Sequence, residues 1–161
     1  MKIVTVNKIL VDLLRNNLPN LHGGKPYVYV DYPRVDATFP RASVTHVGGN
    51  LTPIAVGEVV TSTDGHTFAL LSTLDFDIDV WVKMDNRATI DGTTYVGTKL
   101  RDELADRIIQ ILIENKKTLK EDYGILDVEV LGVYSHPLDE DLMLHRKTIT
   151  IRITSERVKS E

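Results

Sequence analysis

The stretch that most constrains the fold of this chain is residues 68–84, FALLSTLDFDIDVWVKM, in which apolar and polar residues alternate. Every even position except Ser72 is apolar, and from residue 73 onward the odd positions include three aspartates. Because successive side chains of a β-strand point to opposite faces, a period of two predicts one long strand with an apolar face and an acidic face. The apolar face also predicts where the core lies.

The acidic face places Asp75, Asp77 and Asp79 in one row, with neighbours roughly 6.6 Å apart at a rise of about 3.3 Å per residue. Like charges in a row repel one another, so three interpretations remain open. The row is the solvated face of a half-exposed sheet, a divalent-metal site of nuclease type, or an anionic surface that repels phosphate. Against the metal site, residue 81 is Trp81, where a common nuclease pattern has lysine, and sheet twist makes alternate carboxylates diverge.

The strand is also too long for an ordinary core. Seventeen residues reach roughly 56 Å when straight, whereas a domain of this size has a radius of gyration of about 15 Å. We therefore expect the hairpin to bend over the core and in part to project as an arm whose apolar face is covered by a second copy. The residues predicted for this subunit interface are Phe68, Leu70, Leu74, Phe76, Ile78 and Val80.

The remaining pattern predicts a single α+β domain over residues 1–161. Helical spacing of apolar residues predicts helices at 3–18 and 94–117, and GGN at 48–50 and Asp91-Gly92 read as turns. Two further strands are predicted at 125–134 and 145–154. This order favours a mostly antiparallel twisted sheet with two main helices on one face and a long projecting β-hairpin.

Composition excludes several classes of function. The chain has no cysteine, so disulfides, thiolate metal sites and cysteine nucleophiles are ruled out. A net charge of −4 gives no general attraction to nucleic acid or to anionic membranes. No apolar run approaches the ~20 residues of a membrane span, and the N-terminal segment lacks the shape of a secretory signal.

No catalytic motif compares in strength with the alternating strand. The glycines at 48–49 and 97 do not fit the phosphate-loop pattern, and the serines lie outside any nucleophile elbow. Arg146 and Arg152 could contact a phosphate backbone, but they alternate with threonines on an ordinary strand face. The sequence therefore predicts a protein that is not an enzyme, with no catalytic, cofactor-binding or metal-binding residue.

Several segments together resemble the tail-terminator (tail-completion) proteins of long-tailed phages and related archaeal viruses. They are FPRASVT at 39–45, GGN at 48–50, GE at 57–58 and DIDVWV at 77–82, followed by a long amphipathic helix and two closing strands. The resemblance covers roughly residues 3–155 by element order and length. Its local motifs are loose.

The resemblance implies a structural virion protein located at the tail or neck. It implies a hexameric homo-oligomeric ring that caps the tail tube, ends its polymerisation and joins it to the head-tail connector, with DNA passing through the hole. The partners would be the tube protein, the connector or neck proteins and transient DNA, without membrane or cofactor. We further hypothesise that Asp75, Asp77 and Asp79 face the channel. The alternatives are a head-closure or tail-adaptor protein, and a metal-dependent nuclease using these three carboxylates.

Overall fold

The computed structural model describes the backbone of residues 2–33, 37–53, 60–62 and 65–160. Within these ranges, the side chains at 51–53, 60–62, 65–70 and 156–160 are outside the description. The GE pair at 57–58 and the side chains of Phe68 and Leu70 therefore lie outside the described part of the chain.

Three helices and eight strands make up this part of the chain. The helices are α1 (Ile3–Asn17), α2 (Thr98–Glu114) and α3 (Lys116–Tyr123). The strands are β1 (Val28–Val30), β2 (Arg41–Pro53), β3 (Val60–Ser62), β4 (Gly65–Lys83), β5 (Arg87–Ile90), β6 (Thr93–Val96), β7 (Ile125–Ser135) and β8 (Leu144–Ser160).

The main sheet has the strand order β1-β2-β4-β8-β7, and the short β3 pairs with the start of β4. Only β1 and β2 are parallel, and the other pairs are antiparallel. Apolar residues of all three helices belong to one hydrophobic cluster with one face of this sheet. The predicted α+β class, with helices on one face of a mostly antiparallel sheet, is confirmed.

β4 is the central strand, and its alternating pattern produces the burial expected of a half-covered sheet. Its even-numbered apolar residues from 74 to 82 are buried against the helices. They are Leu74, Phe76, Ile78, Val80 and Val82. The prediction that Leu74, Phe76, Ile78 and Val80 are left for a subunit interface is therefore wrong, because the protomer's own helices cover them.

The far end of β4 extends the main sheet past the end of β7. β4 and β8 remain paired from Lys83 and Leu144 to Thr67 and Ser160. β7 follows β8 only as far as Ser155. The last strand thus continues past the predicted end at 154. The hairpin of β3 and β4, together with the end of β8, forms the projecting arm (residues 60–62, 65–71 and 156–160).

Two predicted turns are different in the structure. Residues 48–50 do not end a strand, because β2 continues to Pro53 through a β-bulge between His46 and Gly48 and stays paired with β4. A bulge adds one residue to a strand without breaking the pair. A Cβ at Gly49 would lie 2.5 Å from the carbonyl oxygen of Thr73, so this close approach of two strands requires glycine.

Asp91-Gly92 forms a hairpin rather than the start of a helix. It joins β5 to β6, which pair antiparallel from Arg87–Val96 to Ile90–Thr93. Asp91 and Gly92 have φ values of 50° and 81°, and positive φ at both central residues is what a type I′ hairpin turn requires. The predicted helix at 94–117 consequently begins later, at Thr98, and α3 follows α2 after Asn115.

The core role of the apolar face gives a stability prediction. We expect Phe76→Ala to lower the free energy of unfolding by about 3–5 kcal/mol, because Phe76 is fully buried and its loss leaves a cavity. Leu142→Ala is the matched control, since Leu142 is 52% exposed and should change stability by less than about 0.5 kcal/mol. Urea unfolding measures both variants, and equal small losses would contradict this assignment of the core.

Candidate functional site: the charged face of the sheet

The face of β4 and β8 that points away from the helices carries the acidic row. We call it the charged face, and it comprises Asp75, Asp77, Asp79, Arg146 and Arg152. The register of β4 on β8 sets Asp75 opposite Arg152, Asp77 opposite Thr150 and Asp79 opposite Thr148. Each carboxylate therefore has a cross-strand neighbour that can donate hydrogen bonds to it.

Asp79 is the most enclosed of the three. Its side chain is 0% exposed and accepts two hydrogen bonds from the guanidinium of Arg146. The Arg146 Nε lies 2.8 Å from Oδ1, and Nη2 lies 3.1 Å from Oδ2. The hydroxyl of Thr148 donates a third hydrogen bond to Oδ1. A buried carboxylate requires this degree of pairing, because burial of an unpaired charge is very unfavourable.

Aromatic rings hold the Arg146 guanidinium over Asp79. Its central carbon lies 4.8 Å from the ring centroid of Trp81 and 5.2 Å from that of Tyr32. The Trp81 indole in turn donates a hydrogen bond of 3.1 Å to the Ser43 hydroxyl. Burial opposes the charged form of Arg146, but the hydrogen bonds and the charge of Asp79 outweigh this effect, so the pKa of Arg146 is raised.

His136 extends this network at the start of the β7–β8 loop. Its Nε2 lies 2.7 Å from the Thr148 Oγ1. Because the Thr148 proton is donated to Asp79, the hydroxyl oxygen accepts from His136, and Nε2 carries the proton. The order of the groups is therefore histidine, threonine and carboxylate. A hydroxyl that already donates to a carboxylate is not activated as a nucleophile by this histidine.

The other two carboxylates are paired less deeply. The Arg152 guanidinium binds Asp75 through two hydrogen bonds of 2.8 and 3.0 Å. The hydrogen bonds and the positive charge of Arg152 hold the pKa of Asp75 below its usual value, although partial burial acts in the opposite direction. The Thr150 hydroxyl donates a hydrogen bond of 2.7 Å to Asp77.

These contacts change the interpretation of the row. Two of its three carboxylates are neutralised by arginines, so the charged face has a net charge of about −1 rather than −3. Asp79 has no surface for a ligand, and the described residues contain no group of three side chains suited to hold a metal ion. The picture of a bare, self-repelling acidic row is wrong, while the orientation of this face in an assembly stays a prediction.

Sequence reasoning placed both arginines on a polar strand face but did not pair them with the aspartates. Arg152 lies directly opposite Asp75, whereas Arg146 lies opposite Trp81 and reaches Asp79 diagonally. Both strands alternate polar and apolar residues, and this shared pattern was the feature from which the pairs could have been predicted. Assigning each arginine to its aspartate also requires the register of β4 on β8, which is a long-range property of the fold.

A second feature that sequence reasoning did not single out is a cleft of about 830 Å³ beside β1. Its lining includes His22, Lys25, Tyr29, Tyr32 and Arg41. The Arg41 guanidinium lies over the Tyr29 ring, with its central carbon 4.0 Å from the ring centroid. Tyr32 connects this cleft to the charged face, because the same ring also contacts Arg146.

Comparison with models of known protein families and with curated proteins finds no match to this chain. Among the helices of the described residues, none combines the length and the apolar character needed to cross a bilayer.

The difference in depth between the two ion pairs gives a paired prediction. We expect Arg146→Ala to cost about 3–5 kcal/mol of unfolding free energy, because it leaves the buried Asp79 carboxylate without its counter-charge. Arg152→Ala, at the more exposed pair, should cost less than about 1 kcal/mol. Urea unfolding of both variants measures the contrast. Adding Asp79→Asn to Arg146→Ala should recover part of the loss, and equal losses in the two single variants would contradict the assignment.

The lowered pKa of Asp75 predicts how its pair with Arg152 responds to pH. A carboxyl whose folded pKa is depressed stabilises the fold above its unfolded value of about 3.9 and loses that effect as pH falls through the folded pKa. Asp75→Asn should therefore be less stable than the natural chain at pH 7, with the difference closing below about pH 4. Unfolding curves across this range test it, and the gap should be absent in an Arg152→Gln background.

Proposed function

We propose that this chain is a structural virion protein that forms a ring at the end of a viral tail tube, stops its polymerisation and joins it to the head-tail connector, with DNA passing through the hole. The proposal rests on the resemblance to tail-terminator proteins together with one structural observation. That observation is the excess length of the two central strands, β4 and β8, which stay paired beyond the end of β7.

The projecting arm favours a role in an assembly over a role as an isolated domain. β4 has 19 residues, against a usual strand of ~5–6 residues. At residues 67–71 it pairs with β8 residues 156–160, beyond the last position at which β7 supports β8. A strand pair or ribbon without a packed layer is only marginally stable in water. In the proposed ring, a neighbouring molecule packs on the arm.

The geometry of the charged face favours the structural role over the nuclease alternative. Metal-assisted cleavage requires carboxylate oxygens that are open to an ion and converge on it. Here Asp75 and Asp79 each bind an arginine, and Asp79 is buried. The proposed function does not require the three aspartates to repel the phosphates of DNA that passes through the ring.

The ring is tested by mass and by imaging. We expect native mass spectrometry and light scattering of the full chain to give a closed multimer, and negative-stain images to show rings with a central hole. In the virus that encodes the chain, its loss should leave tail tubes of irregular length that are not joined to heads, because nothing stops their growth. Normal tails without the protein, or a chain that stays monomeric both alone and on tail tubes, would overturn the proposal.

A further inference from the structure

The main sheet has two long edges that no other strand covers within the described part of the chain. β7 pairs with β8 on one side only. On the far side of the sheet, β1 covers β2 only at residues 42–44. Among the described strands, none pairs with the outer side of β2 from Thr45 onward. Such edges present rows of backbone N–H and C=O groups, which are templates for pairing with another strand.

The middle of each edge carries little charge and no proline. Natural edge strands are blocked by charged side chains, proline, very short length or bulges that twist the edge away. The segment THVGGN at 45–50 contains no Lys, Arg, Asp, Glu or Pro, and VEVLGV at 128–133 has Glu129 as its single charged residue. Both segments expose apolar side chains, with Val47 at 50%, Leu131 at 40% and Val133 at 43%. No charge repulsion therefore opposes a contact between the two segments.

The two edges also match in direction and in level. β2, β4, β8 and β7 alternate in direction, so β7 runs antiparallel to β2. In the middle of the sheet each edge strand has a bulge, and β7 has a further register shift near its start, between Ile125 and Asp127. The extra residue is Val47 in β2 and Leu131 in β7, and both lie within one residue of the level of Phe76. Copies placed side by side in one orientation would continue the antiparallel alternation and bring the two bulges together.

We propose that β7 of one protomer pairs antiparallel with β2 of the next, with Leu131 of one copy against Val47 of its neighbour. This inference rests on the ring of the proposed function, and it names the surface that closes it. The contact is heterologous, since two different edges meet, and such contacts close into rings when the rotation between copies permits. The sheet would then run continuously from subunit to subunit.

The size of the contact favours a closed ring over an isolated dimer. A specific interface needs about 1,000 Å² of buried surface, and a strand pair of about eight residues with its flanking side chains lies near that threshold. Each protomer of a ring makes two such contacts, and closure makes the last one intramolecular, which strengthens the whole assembly. A symmetric β7–β7 dimer would leave the β2 edge bare.

The absence of cysteine in the natural chain allows a direct test by disulfide trapping. Val47→Cys and Leu131→Cys are combined in one chain and oxidised in air with copper phenanthroline. Three interstrand spacings, roughly 14 Å, separate β2 from β7 within a protomer. This is beyond the ~7 Å Cα limit for a disulfide, so every bond formed joins two copies. We expect a ladder of covalent multimers on a non-reducing gel that ends at the ring size.

Control variants separate this arrangement from its alternatives. A chain with Val47→Cys and Leu142→Cys should give no ladder, because Leu142 is exposed at 52% but lies in the β7–β8 loop, away from the edge. A mixture of the two single variants should give only dimers. Dimers from Leu131→Cys alone would show a symmetric β7–β7 contact and overturn the proposal. So would crosslinking no greater than in the control at the highest soluble concentration.

A charge placed on the edge gives a second measurement. Leu131→Lys should raise the protein concentration needed for assembly at least tenfold, whereas Leu142→Lys should leave it unchanged. Light scattering across a dilution series measures both. If the ladder forms but tail tubes are not capped, the proposed function fails and the edge contact stands. Capping rings without the ladder would instead reject the edge contact alone.

Discussion

The antiparallel register between β4 and β8 is the constraint on which the rest of the structure depends. It sets the buried Phe76 opposite Ile151 on the helix side, and Asp75 opposite Arg152 on the other side. A slip of one residue would move the apolar side chains of β4 into water and its aspartates under the helices. One pairing thus fixes the core and the charged face at the same time, and the energetic difference between the two faces keeps the register unique.

Asp79 is the buried member of the charged face. Arg146, packed against Tyr32 and Trp81, covers the carboxylate from solvent and supplies its counter-charge. The result is a sheet with apolar packing on one side and a hydrogen-bonded layer on the other. A row of aspartates that looks suited to ligands or to solvent is in this protein an element of cross-strand pairing.

The fold class and the main elements could be predicted from the sequence where a long segment has a regular hydrophobic period. α1, β4 and β7 were found close to their observed bounds, because periods of 3.6 and 2 identify such segments directly. The errors have long-range causes. GGN at 48–50 looks like a turn, but pairing with β4 keeps β2 extended through the bulge. Asp91-Gly92 was recognised as a turn, but the strands on both sides are too short to show a period.

The candidate site was predictable only in part, for the same reason. The shared face of Asp75, Asp77 and Asp79 follows from alternation alone, whereas their partners lie about 70 residues away in the chain. The sequence correctly predicted that β4 is unusually long. It wrongly assigned residues from Leu74 to Val80 to the part of the strand that a second copy would cover. Burial of Leu74 and Val80 depends on how far the helices reach along the sheet, and no pattern within the strand specifies that distance.

The ion pair between Arg146 and Asp79 has a consequence for how the protein responds to heat. Removing two charges from water costs free energy, and that cost falls as temperature rises, because the hydration of ions carries a strongly negative entropy. Hydrophobic stabilisation gains little over the same interval. The pair therefore contributes more to the folded state of a warm protein than of a cold one.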